Sequence, residues 1–380
     1  MVDYKRVLFI TNSSSIGGAQ QCLLDLILSL PERIKPVIIV SKEGPFLNII
    51  KQNNIEYYII PFRGWWYSRF QIKLIERLFN NFISIIRIYI KIKNLDVRLV
   101  YSNTLYSPIG GILSAILRVP HIWHIHEFPH LNEIQSFDFG LNWSMSFVNK
   151  YSNFVICPSS ALKQALTFYI TENKILSIHN GVVCNNDKQF SRKIPQTSIN
   201  SDITILIIGS IIEFKGQHDA ILAIDQLIKK GKKVNLIILG EGDTAYVNDL
   251  KFKTKALEIE NNISWEGFKS DVYTYLSKAD LLYVCSKFES FGMVIIEAMS
   301  VGCPVIATKT GGIPEIITNG YNGMLYDIGD VESLVDKTIK LIEDKDLYQE
   351  ISKNSITTCI NYFDLEDYSA KIIKKIDFLV

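Results

Sequence analysis

The 380-residue sequence has few of the features that mark specialised protein classes. Its six cysteines (Cys22, Cys157, Cys184, Cys285, Cys303 and Cys359) are scattered, with no CxxC pair and no disulfide-like spacing. Several stand in apolar runs such as FVICPSS and LLYVCSK, where a free thiol behaves as a small hydrophobe. That usage suits a reducing cytosol. No uninterrupted apolar run approaches the length that spans a bilayer. MVDYKRVLFITNSSS has only a four-residue apolar run after its charges, so no secretory signal is expected. A cytoplasmic protein, soluble or held peripherally at the inner face of the membrane, is therefore expected. The formal charge is only +1, which argues against nucleic acid as a partner, since such binding lives on phosphate contacts. Neither GxxxxGK[ST] nor GxGxxG occurs, which excludes a P-loop and a dinucleotide fingerprint.

What is present is length, apolar content and alternation. Nearly half the residues are apolar, and the chain is too long for one ordinary core, so two domains of similar size are expected. Residues 1–187 are mildly basic, with 18 Lys/Arg against 12 Asp/Glu, and 188–380 are mildly acidic, with 22 against 27. RVLFITN (6–12) reads as a buried strand followed by a Gly-Gly turn and a helical pattern. PVIIVSK, VRLVYSN, HIWHIHE and FVICPSS continue the series. After a polar stretch at 185–201 that reads as a linker, the alternation restarts with ITILIIGS, VNLIILGEG, NISWEGF, LLYVCS, PVIAT and GMLYD. Strands alternating with helices predict an α/β fold of parallel sheets with helices on both faces. The expected organisation is a first Rossmann-like domain over 1–187 and a second over 202–362. A helix near 363–380 is expected to pack back onto the first. Two such domains would face a cleft bordered by the carboxyl ends of strands, where open α/β sheets bind ligands.

One segment stands apart. PFRGWWYSRFQIKLIERLFNNFISIIRIYIKIK (61–93) carries seven Lys/Arg and one Glu among many aromatic and branched apolar residues. It is either one or two amphipathic helices whose apolar faces belong to the core, with solvated cations, or an interfacial surface with Trp65, Trp66 and Tyr67 at headgroup level and cations on anionic lipid.

The chemistry-bearing pieces lie at predicted strand ends. Gly209 closes a strand, and Lys215-Gly216 precedes a helix, whose free amides together with a lysine make an anion site. Taken alone, Lys215 reads more readily as a surface lysine in a loop. In ILGEGD, Gly240 and Gly242 either turn the chain or admit a ligand close to the backbone. Phe268 and Lys269 follow another strand, where they either meet a flat base or, for Phe268, pack in the core. In SKFESFGMVIIEAMSVG, Glu289 stands on a loop, Gly292 opens a helix, and Glu297 falls about one turn in. An ionised carboxylate on an apolar helix needs donors, which a vicinal diol supplies. The alternative is a solvated Glu289 and an ion-paired Glu297, which fits each alone better than both flanking an anion site. His121, His124, His126 and His130 raise the question of a metal, since His124 and His126 share one face of a strand. No cysteine or close carboxylate set completes such a site, and Glu127 would point the other way. No metal and no other cofactor is therefore expected.

Together GSIIEFKG, GEG, EGF, the stretch from DVYTYLSKADLLYVCSKFESFGMVIIEAMSVGCPVIAT to GGIPEII, and NGYNGML resemble the retaining glycosyltransferases of family GT4, with the GT-B fold. The likeness spans nearly the whole chain and is strongest over 203–327, where the EX7E pair stands in the family's order. The resemblance implies that Lys215 binds the nucleotide diphosphate, that Glu289 meets the donor sugar and that Glu297 holds the ribose. It implies that Phe291, Gly292, Met293 and Val294 line the sugar and diphosphate, partly through backbone amides. Gly17 and Gly18 match the glycine loop facing the donor phosphates and acceptor, and His126 matches a histidine near the reacting centre. Phe268, Lys269, Gly240 and Gly242 are the base-side candidates. Where many relatives carry arginine as a second diphosphate cation, this chain has Ser210.

The resemblance further implies a metal-independent, retaining transfer of a hexosyl type of sugar, with a UDP-sugar as donor. The acceptor expected from family habit and the basic aromatic segment is a lipid-linked glycan of cell-surface polysaccharide. The alternatives are a sugar-nucleotide epimerase or phosphorylase of similar fold, and a non-catalytic binding subunit.

Overall fold

The computed structural model describes residues 4–12, 16–68, 74–129, 135–184 and 202–380. The expected linker at 185–201, His130, and the side chains of Trp66 and Tyr67 lie outside the described residues. The chain divides into two compact units, one of residues 1–180 with 366–380 and one of 181–365.

The first unit alternates β1 (Lys5–Thr11), α1 (Gly18–Leu28), β2 (Ile34–Val40), α2 (Pro45–Gln52) and β3 (Glu56–Ile59). Then come β4 (Trp66–Ser68), α3 (Leu74–Ile92), β5 (Val97–Asn103), α4 (Ile109–Leu117) and β6 (His121–His124). β7 (Gln135–Phe137), α5 (Leu141–Tyr151), β8 (Phe154–Cys157), α6 (Ser160–Thr167) and β9 (Ile175–Ser177) follow. Seven strands form a parallel sheet in the order β3-β2-β1-β5-β6-β8-β9, and β4 pairs antiparallel with β7. The central strands are apolar almost without break because helices cover both sheet faces. In β1, Val7, Leu8, Phe9 and Ile10 are all buried.

The second unit runs β10 (Ile203–Ile208), α7 (Gln217–Lys229), β11 (Val234–Leu239), α8 (Thr244–Ala256), β12 (Ile263–Gly267) and α9 (Tyr273–Leu276). It continues through β13 (Leu281–Val284), α10 (Met293–Ser300), β14 (Val305–Thr308), α11 (Ile313–Ile316) and β15 (Met324–Tyr326). α12 (Val331–Glu343) and α13 (Lys345–Tyr362) close it. Its six parallel strands are ordered β12-β11-β10-β13-β14-β15, the doubly wound arrangement. The last helix, α14 (Leu365–Leu379), belongs almost wholly to the first unit. There Asp377 meets Arg33 at 2.6 Å and the Tyr368 hydroxyl donates to the Cys22 carbonyl at 3.4 Å.

Each sheet reverses its winding at one place, between β1 and β5 in the first unit and between β10 and β13 in the second. Loops leaving the carboxyl ends of these neighbours diverge, and the crevice between them is where such sheets hold ligands.

Of the two readings left open for 61–93, the core one holds for Trp65. Trp65 does not sit at a surface: it is 2% exposed, its ring lies 5.8 Å from that of Trp123, and its indole N–H donates to the Leu105 carbonyl at 2.7 Å. A large ring with its one donor satisfied belongs in a core.

Candidate active site

In the second unit the reversal gathers the acidic loop and the lysine. β10 is followed by Gly209, whose φ of +143° is open to glycine, and the chain passes exposed Ser210 into a short 3-10 turn, Glu213–Lys215. Gly216 then caps α7 in the left-handed region, with φ +69°. A Cβ on Gly216 would come within 2.1 Å of the Cys285 carbonyl oxygen, so this turn packs backbone to backbone against the end of β13. That contact puts Lys215 Nζ 2.5 Å from Glu289 Oε2, with both side chains partly covered. Ser286 donates to the same oxygen at 3.3 Å. Neighbouring links join the two loops: Lys287 N donates to the Phe214 carbonyl at 2.8 Å, and Lys287 pairs with Glu213 at 2.9 Å.

Glu289 is held from its other side by the turn after β14. The Gly312 amide donates to the Glu289 carbonyl at 3.0 Å, and Gly311, at φ +52°, packs so close that a Cβ would lie 1.9 Å from that carbonyl oxygen. Three residues on, Gly292 at φ +107° caps α10, so the first-turn amides of Met293 and Val294 begin beside the Lys215–Glu289 pair. These amides and the positive end of the helix favour an anion. Glu297 is half-buried on the same helix. Phe291 differs from a ligand-facing expectation: its side chain is buried with Ile295 and Phe363, which leaves its backbone as the part able to meet a ligand.

The base-side candidates come together through the sheet. The Gly240 amide donates to the Gly267 carbonyl at 2.8 Å, which sets the 240–242 turn beside Phe268 and Lys269. Phe268 is 52% exposed, so the core reading for it is overturned. Lys269 lies 3.5 Å from Glu266 and above the Tyr275 ring. Gly240 and Gly242 are pressed against the Gly209 and Ile211 carbonyls, where a Cβ would come within 1.9 and 2.0 Å. Close backbone packing alone therefore requires glycine at both positions.

In the first unit the corresponding crevice is built around Asn103, the last residue of β5. Its side-chain amide donates to the Ala19 carbonyl at 3.1 Å, in the first turn of α1 that Gly17 caps and Gly18 begins. Its Oδ1 then faces His126 Nε2 at 3.0 Å, which makes Nε2 the protonated ring nitrogen. Burial pushes the His126 imidazole down to about 3, so it is a neutral ring whose Nδ1 carries a lone pair. His126 also lies 4.0 Å, centroid to centroid, from His124. The Glu127 carboxylate, raised to about 7 by burial, accepts from the Leu105 amide at 2.5 Å and the His126 amide at 3.0 Å. It clamps the ends of β5 and β6 together.

Sequence reasoning missed Asn103, Glu127 and Thr104. Thr104 adopts φ +67°, a conformation rare for a β-branched residue. Its hydroxyl and that of Thr11, both at the reversal point of this sheet, are buried without a hydrogen-bond partner. Strain and unsatisfied polar atoms of this kind collect at functional sites. His121 and His124 are core residues: His121 bonds Ser102 Oγ and the Tyr151 carbonyl, both at 2.9 Å, and His124 Nδ1 bonds the Tyr101 hydroxyl at 2.8 Å.

Comparison with known proteins fits this geometry. Residues 16–186 match the family model "Glycosyltransferase Family 4" and residues 188–358 match "Glycosyl transferases group 1". An uncharacterized glycosyltransferase of Methanocaldococcus jannaschii is 26% identical over 81% of this chain and 86% of its own. The UDP-Gal:alpha-D-GlcNAc-diphosphoundecaprenol alpha-1,3-galactosyltransferase of Escherichia coli is 22% identical over 95% of this chain and 92% of its own. Among solved structures, Anabaena HepE in complex with UDP-glucose has a TM-score of 0.83 at 24% identity, covering 99% of this chain and 100% of that one.

Proposed function

We propose that this chain, which belongs to the GT4-like glycosyltransferases of GT-B fold, moves a sugar from a nucleoside diphosphate to a hydroxyl acceptor with retention of anomeric configuration. The observation that carries the reading is the Lys215–Glu289 pair at the sheet reversal, beside the opening amides of α10. The donor is a UDP-sugar, in line with the UDP-glucose bound by HepE and the UDP-galactose named for the E. coli relative. Its base lies against Phe268 and Lys269, near Gly240 and Gly242, and Glu297 takes the ribose hydroxyls. The diphosphate rests on Lys215, Ser210 and the amides of Gly292, Met293 and Val294. Glu289 meets the sugar. Gly17 and Gly18 present the start of α1 to the donor phosphates.

As the glycosidic bond to the leaving phosphate breaks, negative charge grows on the diphosphate. Lys215 and the helix amides stabilise that charge, the electrostatic contribution that is usually the largest in such sites. The acceptor hydroxyl attacks the same face, and its proton passes to the departing phosphate oxygen. Neutral His126, held by Asn103, positions the sugar and its reacting centre. No metal ion is required. The acceptor is a lipid-linked glycan, in line with the alpha-D-GlcNAc-diphosphoundecaprenol named for the E. coli relative, and the enzyme works at the inner face of the cell membrane.

A donor screen tests the whole reading. Nucleoside diphosphates should raise the thermal transition, and the matching sugar nucleotide should release free nucleotide only when a hydroxylic acceptor is added. Proton NMR of the product should show the donor's anomeric configuration, with full rate in EDTA. Nucleotide release independent of acceptor, or an inverted product, would refute it.

A further inference from the structure

The long helix α3 turns an unusual side to its own core. Its inward face includes Asn81 and Ser84: Asn81 exchanges hydrogen bonds with the Arg63 amide at 2.8 Å and carbonyl at 3.1 Å, and Ser84 donates to the Pro61 carbonyl at 2.5 Å. Only Ile88 and Ile92 add fully buried apolar side chains from this helix. Its outward residues are Ile75, Phe79, Phe82, Ile86, Tyr89 and Ile90, all exposed, with Ile75 at 84%, Phe79 at 63% and Phe82 at 61%. Their spacing of mostly three and four residues places them on one helical face. The 19-residue helix is about 28 Å long at 1.5 Å per residue, and the stripe follows most of it. A continuous exposed stripe of this kind marks an interaction surface.

The charges nearby select the partner. Arg87 and Lys91 on the second half of α3 and Lys93 just past its end are exposed, and the next acid, Asp96, pairs with Arg98 at 2.9 Å. α3, α4 and α5 each lead through a short connection into β5, β6 and β8, which are parallel, so their carboxyl ends gather on the amino edge of the sheet. On that edge a cavity of about 430 Å³ is lined by Arg118, Lys150 and Lys174, together with Ser114, Tyr151 and Asn153. Glu172, adjacent in sequence, lies towards Lys163 at 4.0 Å. One cation at a helix end complements its dipole. This edge carries Lys91, Lys93, Arg118, Lys150 and Lys174, more than the three helix ends require.

An apolar face continuous with a row of cations fits a surface that is itself apolar beneath and anionic on top. We propose that α3 lies in the plane of an anionic bilayer, with Phe79, Phe82 and Ile86 among the acyl chains. Lys91, Lys93 and the Arg118–Lys150–Lys174 cavity receive lipid phosphates. This binding does not depend on the transfer reaction and stands if the acceptor proves soluble.

Co-sedimentation of the full chain with phosphatidylcholine vesicles, with and without phosphatidylglycerol, tests it. The protein should pellet with the anionic vesicles, remain free with the neutral ones, and detach as salt rises. The double substitution Phe79→Glu/Phe82→Glu should weaken vesicle binding by roughly tenfold or more. Both side chains are exposed, so the thermal transition and nucleoside diphosphate binding should be unchanged. Arg118→Gln/Lys150→Gln should erase the preference for anionic vesicles. Equal pelleting of the Phe79→Glu/Phe82→Glu variant, or equal binding of wild type to neutral vesicles, overturns the proposal. So does a dimer in light scattering that this variant splits without change in vesicle binding, which would assign the stripe to a second copy of the chain.

Discussion

Lys215 Nζ lies 2.5 Å from Glu289 Oε2, a contact made across the two strand ends where the sheet of the second unit changes direction. A phosphate that reaches Lys215 must share it with this carboxylate. The pair is partly exposed, and such pairs are worth about 1 kcal/mol or less. Glu289→Gln should therefore tighten binding of free nucleoside diphosphate by up to about fivefold while lowering transfer by roughly 10²-fold. Lys215→Ala should weaken both. Calorimetry alongside rate measurements separates the two; a Glu289→Gln variant with normal turnover would remove Glu289 from the reaction.

Asn103 connects His126 to the first turn of α1 through two hydrogen bonds. Asn103→Ala frees the ring and should cost up to about 10²-fold in turnover, as misplacements near reacting atoms do. Donor affinity should stay close to normal, because Lys215, the α10 amides and Glu297, the groups proposed to hold the diphosphate and ribose, are untouched. Because His126 stays neutral down to about 3, the wild-type rate profile should show no inflection from it near pH 6.5. An imidazole inflection at that pH would contradict the assignment.

Burial holds His121 at about 4, His126 at about 3 and His124 well below its ordinary range. Groups depressed in this way contribute stability that is whole above 6.5, the unfolded value, and is lost as pH falls through the folded values. Two carboxyls act oppositely: Glu127 is raised to about 7 and Asp25 to about 6, so the folded state gains protons there as pH falls. Three histidines outweigh two carboxyls, so below pH 6.5 the unfolded state binds more protons, and the carboxyls offset only part of the loss. Stability of the first unit should thus decline steadily as pH falls from about 6.5. Denaturant midpoints followed by fluorescence across pH should show the decline, and Glu127→Gln, which removes one offsetting carboxyl, should steepen it between pH 7 and about 4.5.

Gly311 sits at φ +52° against the Glu289 carbonyl. Gly311→Ala combines a left-handed alanine, about 1–2 kcal/mol, with a clash that must shift the Glu289 backbone. The expected result is a lower thermal transition together with weaker donor turnover. Gly320→Ala, also left-handed at φ +81° but with open space around the added carbon, serves as the control: it should lower stability and leave turnover intact.

The core strands were legible because a parallel strand covered on both faces must be apolar throughout. RVLFITN, ITILIIGS and LLYVCS accordingly coincide with β1, β10 and β13 to within a residue or two. The short strands β3, β4, β7 and β9 were not legible. They have three or four residues each, and β3 is half exposed. Lys215 and Glu289 were each readable from their turns, but their contact depends on which strands are neighbours. Asn103 at the end of VRLVYSN reads as a turn former, and only the pairing of β5 with β6 brings it to His126. Trp65 stayed undecided between core and surface because an aromatic cluster signals apolar area without saying which side of the backbone is covered.

The chain enters and leaves the second unit at one spot. Val182 and Asp364 form a parallel bridge, with the Val182 amide donating to Phe363 and the Leu365 amide to Val182, both at 2.9 Å. The second unit is thus a single insertion whose two ends meet, and such an arrangement tolerates excision or circular rearrangement. The first unit is the discontinuous one, since α14 is translated only after every residue of the insertion. During synthesis, the unit begun earlier is therefore completed later.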